Sequence, residues 1–174
     1  MMRQLKGWAA SLAVIAIAAP AAVIALGTET AAAAPPHPPS AGGATMVPLS
    51  PVLRRCDFSL ISVPPTRMGA AFALIGRTGS NKVNAEVHLA NAQRDTRFNV
   101  RLIEMPRPTN LCGPGQPATG FGFLYTDGAG TGTANIEADV APGVTGAWVF
   151  IEGPPGEQIY TSGEFYTSDF VAAI

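Results

Sequence analysis

Every second residue from Val83 to Leu89 is apolar, with Asn84, Glu86 and His88 between, and the same alternation recurs in short runs further along the chain. A period of two sends successive side chains to opposite faces, so each run predicts a half-buried β-strand. Phe98, Val100 and Leu102 alternate with Arg97, Asn99 and Arg101; Ala134, Ile136, Ala138 and Val140 alternate with Asn135, Glu137 and Asp139. Gly79-Ser80-Asn81, Asp127-Gly128-Ala129-Gly130, Pro142-Gly143 and Pro154-Pro155-Gly156 stand between runs. These are turn sequences, because glycine accepts positive φ, proline presets its own φ, and aspartate bonds its own backbone.

Further strands are expected over Arg54–Val63, Gly69–Arg77, Thr119–Thr126 and Gln158–Phe165, and Ala147–Glu152, apolar on both faces, should lie centrally. Nineteen glycines and sixteen prolines against 13% charged residues fit short strands and tight turns better than helices with salt-bridged faces. The expected fold is all-β, a two-sheet immunoglobulin-like sandwich of seven or eight antiparallel strands, with a closed barrel as the alternative.

The chain before this domain has a different character. Arg3 and Lys6 precede an apolar run from Trp8 to Leu26 and then Ala31-Ala32-Ala33, which reads as a secretory signal over 1–33. The run is long enough for residues 9–26 to remain as an uncleaved membrane anchor. With no twin arginine, and no cysteine beside the cleavage site, the general secretory route is expected, to the cell envelope or beyond it. Residues 34–53, headed by Pro35-Pro36-His37-Pro38-Pro39, read as a disordered polyproline-type linker, and the domain as 54–170.

Two cysteines in an exported chain predict one disulfide, Cys56–Cys112, which by chain entropy contributes about 4 kcal/mol. The net charge of −1 gives no reason to expect nucleic acid as a partner. Nine basic residues lie between Arg54 and Arg107, whereas none follows Pro108 and seven acids do. Cross-strand pairing between the two halves is the simplest outcome; a dipolar, self-associating surface is the sharper one.

No catalytic, cofactor or metal site is predicted. His37 and His88 are the only imidazoles, too few for a histidine metal centre, and neither a G-x-S-x-G elbow nor a phosphate loop occurs. Glu137, Asp139 and Glu152 fall on neighbouring strands, as solvated acids commonly do. Asp127 reads as a turn residue. Phe121, Phe123 and Tyr125 share one strand face, and aromatics crowd the C-terminal half, where most should fill the core. The functional alternative is an exposed stripe of Trp148, Tyr160 and Tyr166 able to stack on sugars or apolar lipid.

Val87-x-Leu89, Arg94-Asp95-Thr96-Arg97-Phe98, Cys112, the turn Tyr125–Gly132 and the strand Trp148-Val149-Phe150 carry a resemblance. Over roughly Arg54 to Phe165 the chain resembles small exported β-sandwich proteins of mycobacteria and related actinobacteria; its most specific piece is the T-D-x-x-G-x-G turn. The resemblance implies a sandwich fold and an envelope location, and no reaction. The expected function is therefore a non-enzymatic exported or envelope-associated domain with a binding or structural role. Its expected partners are a cell-wall polymer, an envelope lipid or another envelope protein, with membrane contact only through an uncleaved N-terminal segment. A small secreted hydrolase or redox enzyme and a self-assembling adhesin-like module are the alternatives.

Overall fold

The computed structural model describes residues 43–64, 69–154 and 163–174. The signal sequence with its apolar stretch 9–26, the linker as far as residue 42, and Tyr160 lie outside the described residues. The described residues form strands and no helix. In chain order the strands are β1 Thr45–Ser50, β2 Leu53–Arg54, β3 Leu60–Ile61, β4 Ala70–Thr78, β5 Lys82–Ala90, β6 Arg97–Met105, β7 Thr119–Tyr125, β8 Gly132–Asp139, β9 Gly146–Glu152, β10 Phe165–Ser168 and β11 Ala172–Ala173.

One antiparallel sheet runs β7-β6-β9-β10-β1-β4-β5-β8, with β11 added beside β9, and β2 and β3 make a small second sheet. The hydrogen bonding expected to stop between two sheets continues, because β1 pairs with both β10 and β4 and joins the halves. The end strands β7 and β8 lie against each other, so the sheet nearly closes. Glycines allow this approach. A Cβ on Gly120 would stand 2.9 Å from the Glu137 carbonyl oxygen, and Ile136 Cδ1 occupies the space a Cβ on Gly122 would need.

β1 corrects the expectation of a linker to residue 53. Thr45-Met46-Val47-Pro48-Leu49 alternates, and Val47 and Leu49 are buried, but flanking prolines hide the pattern. The Pro48 carbonyl accepts from Asp169 N on the β10 side, where the ladder begins only at Leu49. Its missing N–H therefore interrupts no rung of that ladder. The domain also extends past residue 170, through β11.

Arg54–Val63 is a second correction: it folds as the hairpin β2–β3 and not as one strand. Phe58 adopts φ 69°, Asp57 Oδ1 accepts from Ser59 N at 3.1 Å, and Arg55 N donates to Ser59 O at 2.8 Å. Of the strand expected over Gln158–Phe165, residues 158–162 lie outside the described residues, and β10 starts at its last residue.

The main core lies inside the curved sheet, where Val47, Ile75, Val83, Val87, Phe98, Leu102, Leu124, Val149 and Ile151 meet. β9 is central as expected, paired on both sides and buried on both faces. Its outward residues Trp148 and Phe150 join a second cluster with Ile103, Cys112 and Phe165, against which Leu53, Cys56, Phe58 and Val63 pack. The β2–β3 hairpin is thus a cap over one end of the outer sheet surface. Cys56 and Cys112 are disulfide-bonded and hold it there.

Pairing across the sequence's charge divide is present: Lys82 bonds Glu137 and Arg101 bonds Glu152, each bringing the basic half to the acidic half. The Arg101–Glu152 pair, whose arginine is largely buried, contributes a few tenths of a kcal/mol. The Glu137 carboxylate raises the Lys82 pKa by hydrogen bonding and charge.

Candidate functional site

Antiparallel register places residues opposite one another on the same face. Since Phe98, Val100 and Leu102 point into the core, Arg97, Asn99 and Arg101 point out, and so do their partners. Arg97 stands opposite Tyr125, Asn99 opposite Phe123, and Arg101 opposite Phe121 on one side. On the other side Asn99 faces Glu152 and Arg101 faces Phe150. The outer surface of β7-β6-β9 is therefore a grid of aromatic and polar side chains. The disulfide-held cap covers its Trp148 and Ile103 end. The Arg97 and Tyr125 end is open.

Contacts within the grid fix its side chains. The Arg97 guanidinium lies 4.7 Å from the Phe123 ring centroid, and Phe121 meets Phe123 edge to face at 5.2 Å. Arg101 lies 4.8 Å from the Phe150 centroid and bonds Glu152. Arg101 is neutralised by that carboxylate, whereas no ion pair holds Arg97 among the described residues. Phe123 remains 42% exposed and Tyr125 64% exposed, the latter with no ring or cation stacked on it among the described residues. Beside Arg97 a concavity of about 360 Å³ is lined by Asp95, Thr96, Arg97, Asn99 and Pro154.

The stripe expected from Trp148, Tyr160 and Tyr166 is not formed by the two members the structure describes. Trp148 and Tyr166 are fully buried, on opposite faces of the sheet. Trp148 points outward but lies beneath the cap, with Phe58 edge-on at 5.4 Å. Tyr166 points into the core, where its hydroxyl accepts from Gly69 N at 2.9 Å and donates to buried Glu164; Glu164 also accepts from Gln93 N at 2.8 Å. A buried tyrosine needs such partners.

The exposed aromatics are instead Phe123 and Tyr125. A reading that sends the larger side chains of a strand inward misses them, because the inward residues of β7 are Gly120, Gly122 and Leu124, with Ile136 filling the space over the glycines. The signal was available: pairing β7 with β6 puts Tyr125 on the side of Arg97, opposite to Phe98.

Two other features place polar groups together. His88 Nε2 lies 2.8 Å from Glu86 Oε1, and the imidazole stacks on Phe72 with centroids 4.4 Å apart. They flank a hollow of about 290 Å³ shared with Ala70, Ala90, Thr131 and Thr133. No hydroxyl or thiol is hydrogen-bonded to His88 among the described residues; Thr133 stands opposite it on β8.

Asp127 forms a turn, its Oδ1 accepting from Ala129 N at 2.8 Å and Thr131 N at 2.9 Å. The Thr131 and Ala129 amides hold its carboxyl below the usual aspartate range. Among the described residues no group of three or more His, Cys, Asp or Glu is placed to hold a metal ion. Against known proteins, no family model, no curated protein and no solved structure matches the chain.

Proposed function

We propose that the chain is an exported, non-enzymatic binding domain that contacts its ligand through the open end of the outer β7-β6-β9 surface. The observation that carries this reading is the juxtaposition of Arg97, braced on Phe123 and in no ion pair among the described residues, with exposed Tyr125. Arginine and aromatic side chains dominate binding energy at interfaces, and an arginine already stacked on a ring loses less entropy on contact than a free one. Export is supported by the N-terminal apolar run and by the Cys56–Cys112 bridge, since disulfides persist in oxidising compartments. The fold's finer description in this reading is an immunoglobulin-like sandwich, its two halves joined through β1.

The partner is a component of the cell envelope. The test is a pull-down of the full-length chain against cell-wall and membrane fractions of its source, with a Tyr125→Ala control. Retention that the substitution removes supports the reading; retention on neither fraction overturns it. An adhesin-like assembly through edge strands has less support, because the end strands β7 and β8 turn toward each other. A hydrolase reading rests on the His88–Glu86 pair alone. Turnover of an ester or glycoside panel that His88→Ala abolishes would favour it.

A further inference from the structure

Resting on that reading, we infer that the ligand class is a glycan chain, lying along β7 with Tyr125 as its stacking plate and Arg97, Asn99 and Asp95 as its hydrogen-bonding edge. Shape carries the first part of the argument. Phe121, Phe123 and Tyr125 are alternate residues of one strand, so their side chains form a strip about 13 Å long and about 5 Å wide. On one side the strip is bounded by the approach of β7 to β8, and on the other by Arg97, Asn99 and Arg101. A protein partner needs an apolar centre within about 800 Å² of buried surface on each side, far more than this strip provides. A pyranose ring needs less, having one narrow C–H face and a rim of hydroxyls.

The polar edge carries the second part. Asp95 supplies an acceptor, Arg97 donors and Asn99 both kinds; with Pro154 and Thr96, whose hydroxyl already donates to the Arg94 carbonyl, they line one concavity of about 360 Å³. Asp95 and Arg97, though not ion-paired with each other, leave the concavity with no net charge, which suits a neutral ligand presenting both hydroxyl donors and oxygen acceptors. A bare anion would meet the Asp95 carboxylate; an acyl chain would leave these polar groups desolvated and unpaired. Of the β7 rings, Phe123 is already occupied by Arg97 and Phe121. Tyr125, the most exposed of the three strip residues, is free to receive a sugar.

The test is an amide chemical-shift titration of the full-length chain with cellohexaose, chitohexaose and maltohexaose, and separately with phosphatidylglycerol vesicles. Expected are saturable shifts at Arg97, Asn99 and Tyr125 with at least one glycan at a Kd of about 1 mM or below. Tyr125→Ala should weaken that binding about tenfold, while Tyr125→Phe, which keeps the ring, should stay within about twofold. Unchanged melting temperature in both variants separates lost binding from lost folding. The inference is overturned if no glycan shifts these amides, if Tyr125→Ala binds as well as the parent, or if only vesicles perturb them. Envelope retention that depends on Tyr125 without glycan binding would sink the glycan assignment and leave the binding face standing; loss of both would remove both.

Discussion

The guanidinium of Arg97 lies over the ring of Phe123, two residues of different strands that are diagonal neighbours on the open surface. Cation–π contacts at exposed sites contribute about 0.5–1 kcal/mol. A double-mutant cycle with Arg97→Ala and Phe123→Ala, read by urea unfolding, should return a coupling energy of that size. A coupling of zero would mean that the arginine is held by something other than the ring.

Removing the disulfide with Cys56→Ala and Cys112→Ala should lower the unfolding free energy by about 4 kcal/mol, the entropy of the closed loop. The same change frees the cap whose Phe58 covers Trp148. Protease cleavage within 53–63 should therefore appear in the variant before global unfolding. If the cap stays protected in the double variant, packing alone holds it.

Gly120 and Gly122 should respond differently to alanine. At Gly120 the new methyl meets the Glu137 carbonyl, which belongs to the backbone; at Gly122 it meets the flexible end of Ile136. Gly120→Ala should cost about 1–3 kcal/mol and Gly122→Ala distinctly less, because Ile136 can change rotamer while a strand cannot readily move. Thermal or urea denaturation of the two single variants checks the order.

Asp127 sets the acid response of the β7–β8 turn. Backbone amides hold its folded pKa below the unfolded value of about 3.9, so its stabilising contribution is present above that value and fades as pH falls through the folded pKa. An amide titration followed at Ala129 and Thr131 should show a midpoint below about 3.9. Asp127→Ala should remove the transition, and a midpoint at or above 3.9 would show that the amide bonds do not form in solution.

Residue pattern alone was enough for the strands with clean alternation, β5, β6 and β8, for the centrality of β9 and for the pairing of Cys56 with Cys112. Period-two patterning is a local property that survives without knowledge of partners. Which side of β7 is outside depends on its packing neighbours. Its aromatics look like core until β6 fixes the register, and its inward glycines make sense only with Ile136 packed on them. Packing likewise sets the burial of Trp148 and Tyr166, one beneath a hairpin tied down from a distant cysteine and one satisfied by Gly69 and Glu164. Thr45–Ser50 became a strand only because β4 and β10 stood ready to pair with it. Exposure is a property of neighbours distant in sequence, and residue type alone does not specify which of them will cover a given ring.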